Sequence, residues 1–133
     1  MSEHGATPPR RFVVLEHRWR GVHWDFMLED GATLWTWALD SPPAPGCELP
    51  ARRLPNHRLA YLSYEGSISG DRGAVRRVAE GTYSPIVWEA TRLIVDLKGD
   101  QLVGRLVLSM DAPSDGPGSP GGFDWKLRLG KVD

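Results

Sequence analysis

The sequence predicts an all-β domain, a small barrel or a sandwich. Short runs in which apolar and polar residues alternate are separated by turn residues along most of the chain. No longer segment carries apolar residues at the helical period, so helices are not expected. A length of 133 residues suits one hydrophobic core and not two.

Each element follows from local pattern. Residues 1–10 are polar, contain proline and lack the apolar stretch of a secretion signal; they read as a disordered leader, with 11–133 as a single domain. Strands are predicted over Arg11–Glu16, Val22–Asp30 and Leu34–Leu39, with a hairpin turn at Asp30–Thr33. The segment Ser41–Pro55 holds five prolines and one glycine, which predicts an irregular excursion. Further strands are expected over Leu59–Glu65, Ala74–Glu80, Ile86–Ala90, Leu93–Lys98, Leu102–Met110 and Phe123–Leu129. Lys98, Gly99 and Asp100 form the tip of a hairpin, and Ala112–Gly122 reads as a Pro/Gly/Ser loop. Trp24, Trp35, Trp37 and Trp125 fall at strand positions that suit core and rim packing, whereas Trp19 sits in a turn where it could stack on a ligand ring.

Composition narrows the class further. The formal net charge is −1, so the chain is neither a polycation nor an acidic tail, though arginine greatly outnumbers lysine. Cys47 is the single cysteine, which excludes an intrachain disulfide and a thiolate zinc cluster. No apolar run reaches the roughly 18 residues of a membrane helix, so a cytoplasmic protein without membrane association is expected.

The chemistry concentrates between His17 and Glu29. Along the strand, Val22, Trp24, Phe26 and Leu28 share one face; His23, Asp25, Met27 and Glu29 share the other. A row of His, Asp and Glu is costly to bury without partners. His17, His23 and Asp25 make a two-histidine, one-carboxylate set that would leave coordination positions open, suited to Mn²⁺, Fe²⁺, Zn²⁺ or Co²⁺. The same spacing also fits ordinary strand histidines beside an exposed aspartate. His57 and Tyr61, placed on one strand face by their spacing, could donate to an anion or act in acid catalysis, or be an edge histidine and a core tyrosine.

Taken in order, these segments resemble a known family. Phe12–His17, His23–Glu29, Leu34–Leu39, His57–Tyr61, Tyr64–Ile68, Leu93–Met110 and Trp125–Leu127 resemble the 3′-phosphoesterase domain of bacterial DNA ligase D and its stand-alone relatives. The resemblance implies a closed or partly closed β-barrel with a polar central cavity. It implies a hydrolase that uses Mn²⁺, or another divalent ion such as Co²⁺ or Zn²⁺. It would remove a 3′-ribonucleoside and then hydrolyse the 3′ phosphate on DNA or RNA/DNA primer ends, in repair by non-homologous end joining. His17, His23 and Asp25 match the metal ligands, and His57 and Tyr61 match residues around the scissile phosphate. The implied partners are DNA or RNA/DNA 3′ ends and separate end-joining ligase or polymerase proteins, with a monomer as the expected state.

Two positions depart from the family pattern. Met27 stands where an arginine usually grips the phosphate, and Arg72 replaces an aromatic residue in the turn Gly70–Val75. Arg72 and Arg53 are candidate phosphate donors in compensation, with Arg20, Arg52 and Arg58 as further sources. Other classes lead to distinct expectations. A catalytically weakened module would bind nucleic-acid ends or a partner. A non-haem iron oxygenase would use His23, Asp25 and His57 as a facial triad. A plain structural barrel would bind no metal.

Overall fold

The computed structural model describes residues 9–110 and 124–130. The expectations for residues 1–8 and for the 112–122 loop lie outside the described residues. Strands β1 (Arg10–Arg18), β2 (Val22–Asp30), β3 (Thr33–Leu39), β4 (Glu48–Arg58), β5 (Gly66–Ser67), β6 (Ala74–Glu89), β7 (Arg92–Gly99), β8 (Val103–Met110) and β9 (Trp125–Leu129) form one sheet. Its order is β1-β2-β3-β4-β9-β8-β7-β6-β5, and pairing of β1 with β6 closes eight antiparallel strands into a barrel. Closure leaves few exposed sheet edges. No helix among the described residues is long and apolar enough to cross a membrane.

Alternation along the strands divides the apolar residues between two sides of the wall. Phe12, Val14, Phe26, Leu28, Trp37, Val95, Leu106, Leu127 and their neighbours fill the interior. Val13, Leu15, Met27, Leu34, Leu62 and Val75 form a second cluster on the outer face of β1 and β2. The segment between β4 and β6 covers that cluster, because Leu59, Tyr61 and Ile68 pack on it. The implied polar cavity therefore lies on the outer wall beneath this flap, while the centre of the barrel is apolar.

Four local expectations differ from the structure. The proline-rich segment ends not in an excursion but in β4. Pro50 lies beyond the end of β3, where β4 pairs with β9, and Pro55 falls at a shift of register against β3, between the pairs at Leu34 and Thr36. Both places tolerate a residue without an N–H. The stretch Leu59–Glu65 is not a strand: Leu59–Leu62 forms a 3₁₀ turn, which puts Leu59 and Leu62 on one side against the outer cluster. The runs predicted separately before and after Gly81 are one strand, β6, with an irregularity between Pro85 and Val87. The strand β1 also begins at Arg10, the final residue assigned to the leader.

Candidate metal centre

The hairpin joining β1 and β2 builds the centre. His17 and His23 are cross-strand partners in its register, and their rings lie 4.8 Å apart at 67°. Asp25, two residues further along β2, points to the same face as His23. One donor atom from each of His17, His23 and Asp25 falls within a set whose members all lie within 4.8 Å of one another. His23 Nε2 is 3.0 Å from Asp25 Oδ1, and His17 Nδ1 is 4.0 Å from Asp25 Oδ2.

Asp25 supplies the test of whether a cation suits this set. It is 3% exposed, and its Oδ1 has no hydrogen-bond partner among the described residues despite its closeness to His23. Burying a carboxylate oxygen in that state costs several kcal/mol at order of magnitude unless a charge compensates it. Two imidazole nitrogens and a carboxylate oxygen converging on one another are the donor chemistry of a divalent ion with open positions. The residues fit such an ion.

The flap fixes which nitrogen of His17 faces the cluster. His17 Nε2 is 2.9 Å from the Arg72 carbonyl oxygen, so that nitrogen carries the proton and donates. Nδ1 is left as a lone-pair donor toward Asp25. Such an outer hydrogen bond orients a ligand imidazole and sets its tautomer. The 70–73 turn can reach His17 because Gly73 takes a φ of +79° and lies against β1. A Cβ there would stand 1.9 Å from the Arg18 carbonyl oxygen and 2.8 Å from Trp19 Cβ. Sequence reasoning missed this role; Gly73, directly before a strand, was its only signal.

His57 and Tyr61 come to the same place by a route different from the expected shared strand face. His57 lies at the end of β4 and Tyr61 in the 3₁₀ turn, and their rings meet edge to face at 5.6 Å and 70°. His57 Nδ1 lies 2.9 Å from the Pro55 carbonyl oxygen and donates to it. His17, Asp25, Met27, His57, Tyr61 and Arg72 all line one cavity of about 150 Å³. Met27 is 1% exposed and contributes an apolar wall.

Other candidates stand elsewhere. Arg53 is turned toward the tryptophans, 4.6 Å above Trp35 and 4.9 Å above Trp37. It also donates to the Thr36 carbonyl at 3.2 Å and to Asn56 Oδ1 at 2.7 Å, and burial lowers its pKa below the usual arginine value. It is therefore a structural cation and does not line the cavity. Arg20 caps Trp19 at 4.9 Å, and Trp19 stacks on His17 at 6.2 Å and 16°. Glu29 Oε1 accepts the Arg11 backbone N–H at 2.9 Å, which places it with the β1 backbone rather than with the histidines. Among the described residues, His57 lies outside the ligand group, so the His23, Asp25 and His57 facial triad is not formed.

The fold and the site together define a closed antiparallel barrel with a candidate metal-ligand set beside a cavity on its outer wall. The profile of the DNA Ligase D 3'-phosphoesterase domain matches residues 15–110, a span holding every member of that set together with His57, Tyr61 and Arg72; the chain belongs to this family. It is similar to the multifunctional non-homologous end joining protein LigD of Mycobacterium bovis, with 33% identity over 106 residues, covering 73% of this chain and 14% of that protein. The protein of the same name in Pseudomonas aeruginosa is 32% identical over 110 residues, covering 75% of this chain and 13% of its own length. The chain thus corresponds to a small part of either relative.

Proposed function

We propose that this domain is a metal-dependent phosphoesterase that processes 3′ ends of DNA or RNA/DNA primers in end-joining repair. One observation carries the reading: His17 and Asp25, which cluster with His23, line the same cavity as the His57–Tyr61 pair. Its volume of about 150 Å³ is several times the ~30 Å³ share of a water molecule, room for a phosphoryl group and its attacking water. Membership of the family and the end-joining names of its relatives support the substrate class.

The reaction needs charge neutralisation, orientation and a proton. His17, His23 and Asp25 would hold manganese, or cobalt or zinc in its place. When bound, such an ion neutralises charge on a phosphoryl oxygen and acidifies water. His57 keeps its Nδ1 proton on Pro55 and presents Nε2 to substrate. In the protonated ring, Nε2–H donates to the oxygen that leaves phosphorus. Tyr61 holds a phosphoryl oxygen through its hydroxyl. A water oxygen joins phosphorus, the bond from phosphorus to the 3′ oxygen breaks, that oxygen takes the His57 proton, and the water's own proton passes to solvent.

Primers ending in a 3′-ribonucleotide or a 3′ phosphate, incubated with Mn²⁺ or with a chelator and resolved on a denaturing gel, test the proposal. Shortened and dephosphorylated products that require the metal are expected. Product formation unaffected by chelation would contradict it. The apolar wall formed by Met27 favours a second reading, a domain that binds 3′ ends and turns them over slowly or not at all. Tight binding of the same primers without product distinguishes it. The proposed protein is a cytoplasmic monomer that acts on 3′ ends alongside end-joining ligase or polymerase activities.

A further inference from the structure

The metal cavity continues past Tyr61, Ile68 and Arg72 into a second cavity of about 240 Å³, which shares those three residues with it. Arg58, Ala60, Tyr64, Ser67 and Ser69 complete the wall of the second cavity. A ladder of rings links the two: Tyr61 meets His57 edge to face at 5.6 Å and meets Tyr64 edge to face at 6.0 Å. Tyr64 is 39% exposed, and its hydroxyl donates to the Ser67 carbonyl, so the ring is held from within the flap while part of it faces out.

Two cations border this space without carboxylates of their own. Arg58 ends β4, is exposed and has no ion-pair partner among the described residues. Arg72 is held by a hydrogen bond from Nε to the Ser69 carbonyl at 2.8 Å and likewise has no acidic partner among the described residues. Several arginines away from this space are paired with carboxylates, as with Arg105 on Asp96 and Arg18 and Arg76 on Glu16. In a chain of net charge −1, two guanidinium groups beside tyrosine rings, without acidic partners among the described residues, make a local site for an anion attached to a ring system.

We infer that the second cavity is the subsite for the nucleoside that carries the scissile 3′ phosphate. Arg72, common to both cavities, meets the scissile phosphate; Arg58 takes the phosphate on the 5′ side of the same nucleoside; Tyr64 packs against its base or sugar. The assignment rests on the phosphoesterase reading above. It predicts that the recognised unit is one nucleotide with phosphates at both ends, and that the strand is read through backbone charge and stacking instead of base identity.

The test compares thymidine 3′,5′-bisphosphate with thymidine 3′-monophosphate on the full chain, wild type and Arg58→Ala. Turnover is measured with Mn²⁺, and bisphosphate binding is measured by calorimetry after chelation. The wild type should prefer the bisphosphate by about tenfold in kcat/KM, the scale of one charge-assisted contact. Arg58→Ala should erase that preference and weaken binding by a similar factor, and Arg58→Lys should retain part of both. Circular dichroism confirms that the exposed substitutions leave the barrel intact. Equal turnover of the two compounds by the wild type, or a preference unchanged in Arg58→Ala, overturns the subsite. Absence of turnover of either compound, with bisphosphate binding still dependent on Arg58, overturns the phosphoesterase reading and keeps the subsite.

Discussion

Asp25 concentrates the argument at the scale of single residues. A carboxylate that is 3% exposed, with an oxygen lacking a hydrogen-bond partner, is destabilised until a cation joins it. Addition of Mn²⁺ at about a hundred times its dissociation constant should therefore stabilise the protein by about 2.7 kcal/mol, read as a rise in melting temperature. Asp25→Asn removes the charge that favours the cation and should abolish most of that rise. Met27 leads to a different expectation, because it is 1% exposed among Val13, Leu15 and Leu34. Met27→Arg puts a charge against apolar neighbours and should cost about 1–3 kcal/mol in denaturant melts. Inorganic phosphate should restore part of the loss by pairing with the guanidinium; a loss that phosphate leaves untouched would mean that the side chain does not reach the phosphate position. The grouping of His23 with Asp25 was legible in the sequence because strand alternation alone put them on one face. Arg53 was not legible, since its role depends on Trp35 and Trp37 from another strand.

At the scale of elements, the flap between β4 and β6 does what no single strand could. Its 3₁₀ turn carries Tyr61, and its 70–73 turn delivers the Arg72 carbonyl to His17. Gly73→Ala should push that turn off β1, because the new Cβ would meet the Arg18 carbonyl at 1.9 Å and backbone cannot move aside cheaply. Metal affinity should fall roughly 10–100-fold, the usual effect of losing an outer-sphere partner, and calorimetric metal titration checks it. A second element-level contact joins β6 to β2. Tyr83 donates to the Glu29 carbonyl at 2.6 Å, and burial pushes its phenol pKa up, opposed by the Arg10 guanidinium. A raised folded value means that the neutral phenol stabilises the barrel below the unfolded value of about 10 and that this stability is lost as pH rises through the folded value. Tyr83→Phe should cost about 1 kcal/mol near neutrality and remove that part of the alkaline loss, measured in urea melts across pH. The flap was poorly legible: the alternation around Leu59 and Tyr61 suits a strand, and only contact with the outer cluster selects a 3₁₀ turn.

On the scale of the whole molecule, the strand period settled the class, and barrel closure settled what lies inside it. Alternation in β1 and β2 made an all-β barrel readable, yet it could not say which face turns inward. The pairing of β1 with β6 decides that, sending Phe12 and Val14 into the interior and leaving His17 and Leu15 on the outer wall. The site is thus a shallow chamber between a rigid barrel and its own flap, and the rest of the wall serves as a scaffold that holds the ligands in register. Metal-assisted phosphate hydrolysis is the activity proposed for this chamber. Phosphate release from a 3′-phosphorylated primer with Mn²⁺, compared between wild type and His23→Ala, tests it most directly. Steady release by the wild type and a loss of at least about a hundredfold in the variant are expected. Equal release by the two proteins would contradict it.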